Sequence, residues 1–249
     1  MPVETQQLWL ARMNLDLARL AWFQKARGLP TRADDLGYVV HCALGETFGE
    51  RAPKPFSVLD EAGAGVTVLG YVDRDAAELR DAAERPATSE ARGIVSLSTL
   101  AAKPMPTEWP GGRRLRFQVT CCPVMRKGRA GSDTRGPEID VFLDRCAQAP
   151  DKSVAVSREA VYVEWLASHL ERQGGARVVS AGLEGYRLAR LIRRRRGNDR
   201  SARVFERPSA SLAGVLEVGD NERFRELVSR GIGRHRAFGF GMLLLRRRA

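Results

Sequence analysis

The segment GIGRHRAFGFG, residues 231–241, constrains the fold of this chain more than any other stretch of its sequence. Its glycines are Gly231, Gly233, Gly239 and Gly241. Glycine adopts positive φ without steric cost, and neighbouring glycine N–H groups can form a concavity that binds anions. The apolar run at 242–245 follows at once and predicts a buried closing strand. The segment therefore predicts a tight loop that approaches a neighbour closely, just before the last strand.

Three basic residues stand between the two glycine pairs: Arg234, His235 and Arg236. Arginine forms charge-assisted contacts to phosphate, so a phosphate-binding loop is one interpretation of the segment. The other interpretation is a tight connection whose basic side chains are exposed to solvent. Glycine-rich spacing alone leaves both interpretations open, because it occurs in many unrelated loops.

The composition favours a globular protein with a polyanionic partner. The chain has 249 residues, 43% of them hydrophobic, which suits one large or two small domains. Its net charge of +11 favours partners such as nucleic acid. Most of the positive charge is arginine, which suits bidentate phosphate contacts. A biased genome composition would explain why arginine replaces lysine. It would not explain why basic residues outnumber acidic ones.

The sequence argues against zinc-binding, secretory and membrane classes. Its cysteines form no CxxC pair, and Cys121 and Cys122 are expected on opposite faces of a strand, so no zinc site is predicted. Charged residues interrupt the N-terminal segment, which does not resemble a signal peptide. No apolar run is long enough to span a bilayer. We expect a cytoplasmic, reduced protein with no metal and no small-molecule cofactor.

Hydrophobic periodicity divides the chain into two similar halves. The first half predicts strands at 7–15 and 65–72 and helices at 32–49 and 74–85. The second half runs strand, helix, strands, helix, strand, at 113–128, 157–175, 176–220, 221–231 and the segment after the glycine loop.

A stretch rich in proline and glycine, residues 103–112, separates these halves and predicts a linker. The same alternation of strands and helices on both sides of it predicts an α+β fold with antiparallel sheets. We therefore expect an N-terminal domain at 1–102 and a C-terminal domain at 113–249.

The helix predicted at 32–49 has two distinct faces. Its apolar side chains gather on one side of a helical wheel, whereas Tyr38 and His41 lie on the other, three residues apart. A histidine suits acid–base chemistry, since an unperturbed imidazole has a pKa of about 6.5. The residues alone favour a surface histidine and a half-buried tyrosine over a catalytic pair.

Four segments in the same order resemble the CRISPR repeat-processing endoribonucleases of the Cas6 superfamily, and in particular the Cas6e branch, also called Cse3 or CasE. The pattern Gly-x-Gly-x-x-x-Ala-x-Gly-x-Gly is met from Gly231 to Gly241. LGYVVHCAL is similar to the family segment in which a tyrosine and a histidine lie one turn apart. KPMPTEWPGGRRLRFQVTCCPVMRKG and LAGVLEVGDNERFRELVSRGIG are similar to the family's linker with its basic strand and to the strand and helix before the loop. The stretches 15–28 and 73–100 show no clear match.

This resemblance implies two tandem ferredoxin-like domains of the RRM-like, RAMP type. It also implies an endoribonuclease that cuts CRISPR precursor RNA within each repeat, at the 3′ base of the stem–loop, to give mature crRNA. In the family the product often stays bound to the enzyme, which is then a subunit of a Cascade-type complex. The implied partners are the repeat stem–loop and other Cascade subunits, including a backbone Cas7-type protein.

With the resemblance, Tyr38 and His41 become the predicted catalytic residues. RNA carries its own nucleophile, so cleavage requires a deprotonated 2′-OH, a stabilised phosphorane and a protonated 5′-oxygen. His41 would act as the base or as the acid, and Tyr38 would orient the 2′-OH or the phosphate. This route needs no metal and leaves a 2′,3′-cyclic phosphate and a 5′-OH.

Three sets of residues are predicted to bind the RNA, chiefly through phosphate charge and stem shape, because the deep groove of A-form RNA hides its base edges. The first set is the glycine loop: Gly231, Gly233, Arg234, His235, Arg236, Gly239 and Gly241. The second surrounds the turn of an arginine-dense β-hairpin: Arg193, Arg194, Arg195, Arg196 and Arg200. The third flanks the strand after the linker: Arg113, Arg114, Arg126, Lys127 and Arg129.

Two other functions fit the same residues. One is a non-catalytic RNA-binding RAMP subunit of an interference complex, which would bind the stem without cutting it. The other, more remote, is a basic assembly protein that binds structured RNA with little preference for repeat hairpins.

Overall fold

The computed structural model describes residues 7–29, 36–61, 65–128, 135–150, 155–194 and 202–247. These residues form two four-stranded sheets, one two-stranded sheet and six α-helices. Within these ranges no helix is both long and apolar enough to cross a membrane. The fold is α+β with antiparallel sheets, as the sequence predicts.

The first unit is a four-stranded sheet with helices packed on one face. Its elements are β1 (Trp9–Leu15), α1 (Leu17–Ala26), α2 (Leu36–Phe48), β2 (Phe56–Glu61), β3 (Gly65–Val72), α3 (Ala76–Glu84) and β4 (Ala101–Pro104). The strand order is β4-β1-β3-β2, and every pair is antiparallel. Phe23, Val40 and Leu44 from the helices share one buried core with Met13 of β1.

The second unit repeats this arrangement with an insertion. Its elements are β5 (Arg114–Cys121), β6 (Val124–Gly128), β7 (Arg135–Asp140), α4 (Val141–Gln148), α5 (Arg158–Gln173), β8 (Ala176–Arg194), β9 (Ala202–Val218), α6 (Asn221–Arg230) and β10 (Leu244–Arg247). The strand order is β10-β5-β9-β8. Tyr162, Leu166 and Phe224 from α5 and α6 are fully buried in the core that covers this sheet.

Both four-stranded sheets therefore share one topology. Counted within each unit, the spatial order is fourth, first, third and second strand, with a helix after the first and after the third. This is the β-α-β-β-α-β ferredoxin-like arrangement that the sequence analysis expected twice. The inserted β6–β7 hairpin and α4 stand between β5 and α5 of the second unit.

Two boundaries differ from the sequence-based expectation. Lys103 and Pro104, assigned to the linker at 103–112, pair with Leu10 and Trp9 as part of β4, so the first sheet extends two residues further. Proline is tolerated there because β4 is an edge strand. The stretch 113–128 is two strands rather than one. Pro123 cannot donate a ladder hydrogen bond, and β5 ends just before it.

The cysteine pair at the end of β5 behaves as expected for a strand. Cys121 is fully buried in the core of the second unit, whereas Cys122 is fully buried in a smaller cluster. That cluster also contains Leu191 of β8 and the loop residues Phe238 and Phe240. The two neighbours thus point to opposite faces, which the sequence predicted.

The glycine loop, residues 231–241, is wedged between the two units. The N–H of Gly241 donates to the carbonyl of Thr120 on β5 at 2.8 Å. The ring of Phe238 stacks on Tyr38 of α2, with centroids 5.4 Å apart. Just after the loop, the Tyr71 hydroxyl of β3 donates to the carbonyl of Leu243 at 2.8 Å. The loop therefore joins the two sheets as well as preceding the last strand.

Gly241 offers a direct test of this packing. Its φ is +82°, and a Cβ there would lie 2.1 Å from the carbonyl oxygen of Ile232. We expect Gly241→Ala to lower the free energy of unfolding by about 2 kcal/mol or more in urea titrations. Gly45→Ala in α2 is the opposite case, because its Cβ meets nothing within 4 Å. It should raise that free energy by about 0.5–1 kcal/mol. A Gly241→Ala protein as stable as wild type would refute this packing.

Candidate functional site

A cleft of about 870 Å³ opens between α2 and the glycine loop, where the two units meet. One wall belongs to the first unit and includes Tyr38, His41 and Lys54. The opposite wall belongs to the second unit and is formed by residues 233–238 of the loop together with Arg126 and Glu138. The cleft is thus lined mainly by polar and cationic side chains from both halves of the chain.

The amphipathic pattern of α2 fixes the direction of its two candidate residues. Val39, Val40 and Leu44 are buried in the core of the first unit. Tyr38 and His41 are half-buried and face the cleft, as the helical wheel predicts. Neither is a simple surface residue, because the glycine loop lies over this face and Phe238 stacks on Tyr38.

His41 has the properties of a neutral imidazole at neutral pH. Burial lowers its pKa below the ordinary value, and the positive charge of Lys54 lowers it further. A neutral ring has one nitrogen free to accept a proton, so the position suits a general base. Lys54 was missed by the sequence analysis, since a lone lysine in a proline-containing turn carries no recognisable pattern.

A carboxylate on the opposite wall gathers four basic side chains. Glu138 of β7 accepts from Arg234 Nε at 2.6 Å, from Arg207 Nε at 3.2 Å and from Arg126 Nη2 at 3.3 Å. It also contacts His235 Nε2 at 2.7 Å. Its side chain is 6% exposed. Neither Glu138 nor Arg207 could be identified from the sequence, because the cluster joins residues from four separate segments.

The pKa values of this cluster follow from burial and charge. Burial alone would raise the pKa of Glu138, but His235 and Arg234 outweigh it and lower that pKa to about 2. Burial lowers the pKa of His235, and Glu138 offsets only part of that effect. At neutral pH the cluster is therefore a carboxylate among three arginines and a neutral imidazole.

The glycine loop has the backbone that its sequence predicts. All four glycines take positive φ, between 71° and 82°, and so does His235, at 62°. The expected anion-binding N–H groups, however, are already engaged. The N–H groups of Gly231, Gly233, Gly239 and Gly241 donate to Leu227 O, His169 Nε2, Arg236 O and Thr120 O. The four glycines therefore serve close packing in this structure, since their N–H groups bond other parts of the protein.

The basic residues of the loop have different surroundings. Arg234 is 43% exposed and bonded to Glu138, whereas the side chain of His235 is 13% exposed. The ring of His235 lies among Glu138, Phe205 and Phe238, and its carbonyl accepts from the N–H of Phe238 within the loop. Arg236 donates to the carbonyl of Arg230. All three line the cleft.

The structure splits the third predicted RNA-binding set. Arg126 lies in the cleft, and Lys127 pairs with Asp144 of α4. Arg113 and Arg114 lie at the other end of β5, about 23 Å from Cys121 at the usual strand rise. Arg114 is there paired with Glu217. The set is not one surface, because Arg113 and Arg114 lie at the start of β5, whereas Arg126 and Lys127 stand on β6 beyond its other end.

The second predicted set belongs to the long β8–β9 hairpin. The two strands pair antiparallel up to Arg194 and Ala202, which confirms the predicted hairpin. Only the backbone of Arg193 and Arg194 is described. Arg195, Arg196 and Arg200 lie outside the described residues, as does Arg129 of the third set.

Comparison with known proteins relates this architecture to a family. A family model described as "CRISPR associated protein" matches residues 8–247. A curated relative, the CRISPR-associated endoribonuclease Cse3 of Thermus thermophilus, is 28% identical over 147 residues. That alignment covers 57% of this chain and 59% of the relative, which is less than two thirds of the relative's length.

Two solved structures share the fold over nearly their whole length. One is Thermus thermophilus Cse3 bound to an RNA representing a pre-cleavage complex, with a TM-score of 0.59, 23% identity and coverage of 96% of this chain and 99% of that one. The other is a chain of a CRISPR RNA-guided surveillance complex, with a TM-score of 0.56, 18% identity and coverage of 95% and 98%.

The charge relation between Lys54 and His41 can be measured directly. Replacing Lys54 with glutamine removes a cation that lowers the His41 pKa, so that pKa should rise in an NMR titration of the ring. It should stay below the ordinary value, because burial is the larger cause. Lys103→Gln, on the exposed edge strand β4, is the matched control and should leave it unchanged. An unchanged His41 pKa in Lys54→Gln would show that the two groups do not interact.

Proposed function

The chain belongs to the CRISPR associated protein family, and from that premise we propose that it is an endoribonuclease that cuts CRISPR precursor RNA within each repeat. The observation that carries the proposal is the position of His41 and Tyr38. Both open into a cationic cleft formed by the two ferredoxin-like units together. A single unit would offer neither the opposite cationic wall nor the partial burial of the imidazole.

The proposed reaction uses the RNA's own 2′-OH as the nucleophile. Neutral His41 accepts the 2′-OH proton, and the resulting alkoxide attacks the adjacent phosphorus. The bond to the 5′-oxygen breaks and the departing oxygen takes a proton from solvent water, which leaves a 2′,3′-cyclic phosphate and a 5′-OH. Tyr38, fixed against Phe238, orients the 2′-OH or the phosphate. The route needs no metal ion.

The cations of the cleft stabilise the charge that develops on the phosphorane. Lys54 approaches from the side of His41, and Arg234 and Arg236 approach from the loop. Cations already positioned in a cleft stabilise such charge more than cations in water, because little reorganisation is needed. Their placement on both walls would hold the scissile phosphate between His41 and the loop.

The proposed substrate is the repeat stem–loop, cut at the 3′ base of the stem. The curated relative is named an endoribonuclease, and a solved structure of Thermus thermophilus Cse3 contains an RNA representing a pre-cleavage complex. The long β8–β9 hairpin and the loop arginines would hold the stem by its phosphates. A chain of the same fold belongs to a CRISPR RNA-guided surveillance complex. The proposed partners of the product-bound enzyme are therefore Cascade subunits, including a backbone Cas7-type protein.

Cleavage in EDTA tests the function and its metal independence together. Wild-type protein incubated with repeat RNA in EDTA should cut it, and a single 2′-deoxy nucleotide at the scissile position should abolish cutting. His41→Ala should bind the RNA and cut it about 10²–10⁴-fold more slowly in single-turnover assays. Tight binding without cleavage under any condition would indicate the non-catalytic subunit. A His41→Ala protein with the wild-type rate would remove His41 from the mechanism.

The pH dependence tests the role of His41 as a base. Its pKa is lowered, so the ring loses its accepting nitrogen only as the pH falls below the ordinary imidazole value of about 6.5. A plot of log kcat/KM against pH should therefore be flat above about pH 7 and fall on the acid side. A rate that decreases as the pH rises from 6 to 8 would make His41 the general acid instead.

A further inference from the structure

Glu138 is the one carboxylate on the loop side of the cleft among the described residues, and the proposed chemistry gives it no role. An acid in a site that binds RNA lowers the attraction for phosphate. It is nevertheless nearly buried and bonded to three arginines and a histidine. Burying a charge is costly unless it is well paired, so this arrangement is a built cluster rather than a chance surface contact.

The cluster ties the loop to rigid strands. Glu138 stands on β7, Arg126 on the paired strand β6, and Arg207 on β9. Arg234 and His235 belong to the loop itself. One carboxylate oxygen accepts from Arg126 and Arg234, while the other meets Arg207 and His235. The anion thus attaches two consecutive loop residues to three strands of the second unit.

From the loop, contacts continue to the proposed catalytic helix. His235, held in a left-handed backbone conformation by the surrounding contacts, places its ring 5.9 Å from that of Phe238. Phe205 of β9 supports both rings, at 5.8 and 6.2 Å. Phe238 then stacks on Tyr38 at 5.4 Å, one helical turn from His41. A continuous chain of contacts therefore runs from Glu138 to α2 across the junction of the two units.

We propose that Glu138 is a positioning residue: it holds the Arg234–His235 segment so that Phe238 fixes Tyr38 and α2 opposite the loop's cations. This proposal rests on the proposed function, since it concerns the same cleft. Its benefit to cleavage is geometric, and its cost is an unfavourable charge for RNA binding. Removing the Glu138 charge should therefore lower the cleavage rate without weakening RNA binding.

Glu138→Gln keeps the shape and removes the charge. Repeat RNA should bind this variant as tightly as wild type or a few-fold more tightly, because the cleft gains one unit of positive charge. The single-turnover cleavage rate should fall about tenfold or more, because a small displacement of positioned groups is costly. Glu164→Gln is the matched control: its carboxylate is exposed and pairs with Arg145 outside the cleft, so both quantities should stay at wild-type values.

A role through the loop also predicts non-additivity. In a background that already carries Arg234→Ala and His235→Ala, Glu138→Gln should lower the cleavage rate no further. If the full loss recurs in that background, Glu138 does not act through the loop and the proposal is wrong. Equal cleavage rates for wild type and Glu138→Gln would overturn it as well.

Loop position can be observed without RNA, so failure of the proposed function and failure of this proposal are distinguishable. In the free wild-type protein, NMR should show a cross-relaxation peak between the rings of Tyr38 and Phe238, and this peak should weaken or vanish in Glu138→Gln. The pKa of the His235 ring should also fall, because Glu138 raises it. A preserved Tyr38–Phe238 peak with thermal stability equal to wild type would refute the positioning role, whether or not the protein cuts RNA.

Discussion

The site depends on one contact surface: the glycine loop inserted between two sheets that the chain builds separately. Each unit has its own core, and the first sheet also contributes Tyr71 to the core of the second unit, with Leu10 and Leu69 packed against it. Gly241 has no side chain to collide with the backbone of Ile232, and its N–H bonds Thr120 of β5. From the same loop, Phe238 stacks on Tyr38. Without this approach the cleft would lose one wall, and His41 would be an exposed residue on a helix.

The two walls of the cleft differ in charge and therefore in the chemistry they can support. On the first unit's wall, burial and Lys54 keep the imidazole of His41 neutral and able to accept a proton. On the other wall, cations face the space where a phosphate would enter, while Glu138 limits their mutual repulsion. A net charge of +11 favours polyanionic partners for the molecule as a whole, and in the proposed function these placed charges would act on one phosphodiester.

Periodic features of the chain were predictable, and features made by distant segments were not. Local patterns predicted strand β3 and helices α2, α3, α5 and α6. The helical wheel of α2 correctly placed Tyr38 and His41 on the face away from the core. The glycine loop's positive φ values were also predictable, yet its N–H groups proved to be engaged within the protein. Glu138, Arg207 and Lys54 carry no local signal, because their meaning lies in neighbours up to 97 positions away in the chain. The short strands β2, β4 and β7 were missed and β6 was merged with β5, since brief edge and hairpin strands have too few residues to show a period.

The central claim is that the scissile phosphodiester lies between His41 and the loop's arginines. It is tested most directly by a structure of the protein bound to repeat RNA that carries a 2′-deoxy nucleotide at the cleavage position. The account predicts the sugar's C2′ beside the His41 imidazole, with the adjacent phosphate facing Lys54 and Arg234. A stem bound with its 3′ base outside this cleft, and no phosphate near His41, would contradict it.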